Sequence, residues 1–221
     1  MAGVMTLIGY LINSRLQSKF QKYSQVALSN GMTGKQVAES MLKYYGIYDV
    51  TIQSVEGSLT DHYDPSNKTV NLSESVYNCK SVSAAAVAAH ECGHAVQHAE
   101  GYAALRLRSA IVPMVKVASG MQQFLFMAGM LLIRSAFGKP ILLFTILVFA
   151  VTTLFSLITL PVEFDASRRA LVWLESSGTT RTDEQAGAKD ALWWAAMTYV
   201  AAALSSLVTL LYLVLQYNRR N

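Results

Sequence analysis

The sequence predicts a mainly α protein in which multi-pass membrane helices carry a small α+β domain with a short antiparallel sheet. Three observations predict it. Of 221 residues, 52% are hydrophobic and only 14% charged, against roughly 25% charged in an ordinary soluble domain. So few charges cannot coat a globule of this size, and lipid takes the place of part of the solvent. Uncharged runs, "PILLFTILVFAVTTLFSLITL" at 140–160 above all, reach the roughly 20 residues that a bilayer core requires. Between residues 13 and 80, by contrast, polar sequence alternates with short β-branched runs and one amphipathic helix, the pattern of a small mixed domain.

In order, residues 1–12, "MAGVMTLIGYLI", are apolar but short, and read as a short N-terminal membrane helix. No positive residue precedes them, so a signal peptide fits poorly. Residues 13–108 form the α+β domain. In it "TGKQVAESMLKYYG" is a helix capped by Thr33, with Val37, Met41, Leu42 and Tyr45 as its apolar stripe and Gly46 as its stop. "YDVTIQSV" and "KTVNLS" read as strands. "SLTDHYDPSN" between them supplies Asp, Pro and Asn for a turn, which makes the pair antiparallel. Ser81 or Ser83 caps a helix running to about Ala99, with Gly101 just beyond it. Residues 109–160 hold two membrane helices joined by a tight loop between Arg134 and Lys139. Pro113, Lys116, Gln122 and Gln123 make the first half of the earlier one amphipathic. Residues 161–190 are a helical insert, broken at Gly178 and restarted at Thr182 with Gln185. Residues 191–217 are a C-terminal membrane helix with Trp193 and Trp194 as interfacial anchors.

Composition also excludes function classes. The net charge is +4, yet Lys and Arg form no stripe that could track phosphates, so nucleic acid is not a partner. They gather at the ends of apolar runs, as bilayer anchors do. Cys79 and Cys92 lack a CxxC spacing and indicate neither a redox motif nor a disulfide framework. Cys92 lies on the helix side opposite its flanking histidines and reads as a small core residue. A transporter would carry ionisable residues inside its spans, and 140–160 and 191–215 contain none.

"AAHECGHAVQH", residues 88–98, holds three of the four histidines at intervals of four. On a helix such residues share a face, so His90 and His94 can present two imidazoles to one zinc ion. Glu91 stands beside His90, where its carboxylate reaches past the ligands to a coordinated water. Zinc lowers the pKa of that water to about 7, and the carboxylate takes its proton as it attacks a carbonyl. That is the mechanical sense of HExxH. Burying two imidazoles and a carboxylate among alanines is costly without a partner. A metal supplies one; a structural histidine cluster is the plainer alternative. His98 lies about 12 Å along the axis from His90, too far to share the ion, and reads as a surface or supporting residue. Gln97 and Glu100 stand where a metzincin needs glycine and histidine, so that pattern fails. A tetrahedral catalytic site requires a third protein ligand. Glu163, in "LPVEFDASRRA", follows the 140–160 run closely. On spacing alone it is either that ligand or, with Asp165, a marker of the membrane boundary paired with Arg168 and Arg169.

"LTDHYDP", "AAHECGHAVQHAEGYAALRLRSA", "LPVEFDASRRAL" and "MTYVAAALS" together resemble the YugP-like neutral zinc metallopeptidases, small multi-pass membrane proteins of prokaryotes. The likeness covers nearly the whole chain in the same order, with a shortened N-terminal apolar segment. More distantly, "VEFDASRRA" is similar to the "EYEADR" segment of HtpX and the CAAX prenyl proteases, whose first glutamate is the third zinc ligand. The resemblance therefore implies Glu163 as that ligand, in a zincin-like, gluzincin-type catalytic domain. Ser167 stands where those proteases carry an acidic residue, which leaves their supporting carboxylate unaccounted for, with Asp165 as its possible replacement. "TDHYDP" matches the family too. There His62 or Tyr63 helps to stabilise a tetrahedral oxyanion, or else Asp61 and Asp64 shape a turn while Tyr63 packs.

The expectation is a membrane-embedded zinc metalloendopeptidase with one Zn2+ per chain held by His90, His94 and Glu163, and Glu91 as general base. Its substrates are membrane or membrane-proximal polypeptides, because Glu163 sets the ion within about 5 Å, one helical turn, of the bilayer surface. The competing expectation is a non-catalytic zinc-binding membrane scaffold. Basic residues on the zinc side outnumber Arg134, Lys139, Arg219 and Arg220 on the other, which places the site on the cytoplasmic face of the cell membrane.

Overall fold

The sequence folds, in a computed structural model that describes residues 2–132, 135 and 137–219, into seven helices and three short strands among those residues. Met1, Arg134 and Arg220, part of the expectations above, lie outside the described residues.

The N-terminal apolar run is the first half of a longer helix, α1 (Ala2–Ser24), which continues through Arg15, Lys19 and Lys22. After α2 (Gly34–Tyr44) come β1 (Thr51–Val55), β2 (His62–Asp64) and β3 (Thr69–Ser73). Four further helices complete the site's frame: the single turn α3 (Glu74–Tyr77), α4 (Val82–Ala99), α5 (Ala103–Leu131) and α6 (Gly138–Ser176). The last helix is α7 (Thr182–Asn218).

Local chemistry sets most boundaries as expected. The Thr33 hydroxyl accepts from the Gln36 N–H while the Gln36 side chain accepts from the Thr33 N–H, a reciprocal capping box. Gly46 follows α2 at φ +69°, a conformation that costs glycine little. Ser81, of the two serines considered, caps α4 by accepting from the Ala84 N–H, and Gly101 follows at φ +65°. At α7 the start differs from the Thr182 reading. Arg181 is the cap residue, its N–H donating to Glu184. Glu184 also accepts from the N–H and hydroxyl of Ser29, so a contact from 155 residues away decides the boundary.

The antiparallel expectation for β1 and β3 is overturned. The sheet order is β1-β3-β2: β1 runs parallel to β3 with Thr51 opposite Thr69, whereas β2 pairs antiparallel with Tyr63 opposite Val70. The reason lies in the segment read as one turn. Its Asp-Pro-Ser-Asn part does form a turn, with the Asp64 carboxylate accepting from the N–H groups of Ser66 and Asn67. That turn joins β3 to a strand hidden inside the segment, His62–Asp64. Asp61 anchors this strand's start by accepting from the Ser73 N–H at 2.7 Å. With β2 occupying one side of β3, β1 is left the other edge and the same direction as β3.

Helix α4 sits at the centre. Nearly all of Val82–Gln97 is buried, which is why the segment is small and apolar all round. It contacts α2, the sheet, α6, α7 and α1. Val37, Met41, Val70, Leu72, Val82 and Val96 are fully buried in the same core, each contributing about 1.5–3 kcal/mol relative to exposure. Helix α4 meets α6 closely at Gly93, where a Cβ would lie 2.6 Å from the Ala166 carbonyl oxygen. Only glycine lets α4 and α6 come this near. Helices α5, α6 and α7 pack on one another, and all three are long and apolar enough to cross a membrane.

Candidate metal centre

His90 and His94 stand one turn apart on α4, their rings edge to face with centroids 4.8 Å apart. The α4–α6 crossing at Gly93 brings Glu163, three residues past the end of the apolar stretch of α6, directly opposite. Glu163 Oε2 lies 3.3 Å from His90 Nε2 and 3.5 Å from His94 Nε2. One ligand atom from each residue falls within 4.8 Å of the other two.

The donor set fits zinc on three counts. Ligands bound tetrahedrally at 2.0–2.1 Å sit about 3.3–3.4 Å apart, close to the two carboxylate–imidazole separations here. Glu163 is only 2% exposed, and its Oε2 has no hydrogen-bond partner of proper geometry; a buried carboxylate oxygen left so is expensive. The charge state suits a cation too. Burial pushes the Glu163 carboxyl up, but the imidazoles of His90 and His94 outweigh it and hold it well below the usual carboxylate range.

Each ligand is held from behind. Ser167 Oγ meets His90 Nδ1 at 3.1 Å. His94 Nδ1 meets Gln97 Oε1 at 3.0 Å, and Gln97 Nε2 donates to the Val162 carbonyl and to Asp165. Such partners fix ring orientation and leave Nε2 for the metal. The serine that departs from the more distant proteases thus contacts a ligand itself, while Asp165 acts one step further out, through Gln97. Asp165 also pairs with Arg168 and Arg169. The two readings of "VEFDASRRA" therefore divide between its two acids, Glu163 joining the cluster and Asp165 forming the ion pairs. On the far side of Glu163, Arg108 of α5 brings Nη1 to 3.3 Å from Oε1.

Glu91 is buried and lines the same cavity as His90, His94 and Glu163, a space of about 350 Å³. His62 and Tyr63 of β2 line it as well, with Arg108 and Tyr199. His62 is exposed, with Nδ1 at 2.8 Å from the Thr60 carbonyl. The Tyr63 hydroxyl bonds to His98 Nδ1 at 2.7 Å, and burial pushes its pKa up to about 12. His98 accordingly stands outside the cluster. Cys92 is fully buried with Sγ near the Ala38 carbonyl, and both cysteines are free.

Sequence reasoning did not single out Gln97, Arg108 or Tyr199 as parts of the site. Gln97 carried a readable signal, three residues after His94 on one helix face. Arg108 and Tyr199 reach the site only through the packing of α5 and α7.

A helical protein that joins three bilayer-length apolar helices to a largely buried His–His–Glu donor set beside the buried Glu91 is the class that fold and site define. Within that class, the family model described as "putative neutral zinc metallopeptidase" matches residues 1–218, and the chain belongs to this family. It is 50% identical over 202 residues to the "putative membrane protease YugP" of Bacillus subtilis (strain 168), covering 91% of this chain and 88% of that protein. No solved structure matches.

Proposed function

We propose that the chain is a membrane-embedded zinc endopeptidase that hydrolyses membrane or membrane-proximal polypeptides. One observation carries the reading: Glu163 Oε2, buried and without a hydrogen-bond partner, lies 3.3–3.5 Å from two imidazole nitrogens of an HECGH helix. In this reading residues 13–108 are a zincin-like catalytic domain, and apolar stretches of α5, α6 and α7, 140–160 most clearly, span the cell membrane.

His90, His94 and Glu163 hold one zinc ion per chain. The ion supplies a Lewis acid that polarises a peptide carbonyl and lowers the pKa of water. The Glu91 carboxylate takes a proton from the attacking water and later delivers it to the departing amine nitrogen. Ser167 and Gln97 keep the two imidazoles turned toward the ion, and Arg108 holds the second oxygen of Glu163. Strand β2 is a sheet edge that borders the cavity, and such an edge can pair with an extended substrate main chain. Of the β2 side chains that line the cavity, exposed His62 takes the role of oxyanion donor, while the Tyr63 hydroxyl serves the contact with His98. The site opens within about one helical turn of the bilayer surface, on the cytoplasmic face.

The test is hydrolysis of a fluorogenic protein substrate by the purified chain in detergent, with metal analysis. Glu91→Gln is expected to keep its zinc and lose about 10²–10⁴-fold in rate. Activity that survives both zinc removal and Glu91→Gln overturns the proposal. A compartment-sensitive reporter fused to the C-terminus tests the orientation.

A further inference from the structure

The metal cluster borders two spaces. Besides the polar-walled cavity shared with β2, a second one of about 160 Å³ opens on the other side of His90, Glu91 and Glu163. Its walls are apolar and come from three helices: Leu16 and Phe20 of α1, Val87 of α4, and Leu192, Ala195 and Ala196 of α7. Leu59, held in the left-handed region at φ 59°, where leucine is rarely found, also lines it. An apolar cavity of roughly 150 Å³ accommodates a benzene ring, so this one fits a single leucine or phenylalanine side chain. Away from the cluster the lining is mostly apolar, which suits such a side chain better than a charged group.

We infer that this pocket receives one large apolar side chain of the substrate beside the scissile bond, and that Ala195 and Ala196 on α7 set its depth. The inference rests on the peptidase proposal, because the pocket's polar lining is the metal cluster together with Asp61, Ser167, Thr198 and Tyr199. Alanine at both α7 positions leaves the space that a larger side chain there would fill. The opposite wall, from α1, belongs to the N-terminal helix, which thereby acquires a role in substrate selection as well as in packing on α7.

The experiment measures hydroxamate binding to the full-length, zinc-loaded protein in detergent by calorimetry. The probes are acetohydroxamate, N-acetylalanine hydroxamate and N-acetylleucine hydroxamate. Wild type is expected to bind the leucine compound about tenfold or more tighter than the alanine compound. Ala195→Leu and Ala196→Phe are expected to shrink that ratio to about twofold with acetohydroxamate affinity unchanged. Phe20→Ala, which enlarges the pocket from α1, is expected to extend the preference to N-acetylnaphthylalanine hydroxamate. Zinc content equal to wild type identifies the folded variants. Equal binding of leucine and alanine compounds by wild type overturns the inference, as does a full preference in both filled variants. Selective binding by a protein that cleaves no peptide sinks the peptidase proposal and leaves the pocket standing. Peptide cleavage with no side-chain preference in binding does the reverse, and failure to bind even acetohydroxamate overturns both.

Discussion

Helix α6 runs unbroken from Gly138 to Ser176, yet its halves are dressed in opposite ways. Before Pro161, Leu143, Phe144, Leu147 and Leu154 are exposed while Thr145 and Thr153 are buried against neighbouring helices. After it, Val162, Ala166, Ala170, Trp173 and Leu174 are buried, and the exposed side carries Arg168 and Glu175. The first half leaves many large apolar side chains outside and buries small polar ones beside Leu142, Val148 and Phe149, an arrangement favoured where the surroundings are hydrocarbon. The second half comes closer to the rule for water, with Phe164 and Val172 as its exposed apolar residues. The more hydrophobic half is thus the less covered by protein. Hydropathy therefore marks the half suited to hydrocarbon, and burial marks the candidate metal centre.

This contrast is broken most severely at the residue that begins the second half. Glu163→Ala removes the only carboxylate in the cluster, and zinc content is expected to fall from about one per chain to near zero. That loss exceeds the roughly 10–100-fold drop in affinity typical of removing a supporting residue. Leu154→Ala, on the exposed face of the first half, is expected to leave zinc content unchanged. Equal zinc in wild type and Glu163→Ala, measured by plasma emission, would retire the third ligand. Next in size is Gly93→Ala. The added methyl meets the Ala166 backbone at 2.6 Å, where no flexible side chain can yield. Overpacking of this kind costs about 1–3 kcal/mol, and separating α4 from α6 also parts the histidines from Glu163. A lower unfolding temperature together with weaker zinc binding is expected. A variant that binds zinc as wild type does would show that the helices adjust at no cost to the site.

Much of the centre was legible because it is local. His90, Glu91 and His94 lie on one turn of one helix, and four-residue spacing is enough to put them on a common face. Glu163 is 69 residues beyond His94 in the chain. Spacing left it undecided, and only the family resemblance singled it out; the structure brings it to the two imidazoles because Gly93 admits the crossing. The caps at Thr33 and Ser81 and the end at Gly101 were readable for the same local reason. What could not be read is what packing decides. The sheet order depends on which side of β3 is taken by His62–Asp64, a strand too short to show alternation. The start of α7 depends on Ser29, and the site's Arg108 and Tyr199 on how α5 and α7 lean against α6.

Supporting contacts give smaller effects and sharpen the comparison within the second half. Gln97→Leu removes the partner of His94 Nδ1 and, in the same step, the link to the Val162 carbonyl and Asp165. Zinc affinity is expected to fall about 10–100-fold, read by competition with a chromophoric chelator, and Gln97→Glu, which keeps an acceptor for His94 Nδ1 but turns a carboxylate toward the Val162 carbonyl and Asp165, is expected to recover only part of it.

Ser167→Ala is the mildest change, because a single neutral hydrogen bond contributes about 0.5–1.5 kcal/mol net, at most roughly tenfold in affinity. The informative partner is Ser167→Asp, which puts a carboxylate where the more distant proteases carry one. A charge-assisted bond to His90 Nδ1 is about twice as strong as a neutral one and makes the imidazole a better donor, so zinc binding is expected to tighten. If Ser167→Asp instead binds more weakly than wild type, the burial of a second carboxylate beside Glu163 outweighs the bond it forms. The serine would then be the residue this site requires, with Asp165 kept at arm's length behind Gln97 for the same electrostatic reason.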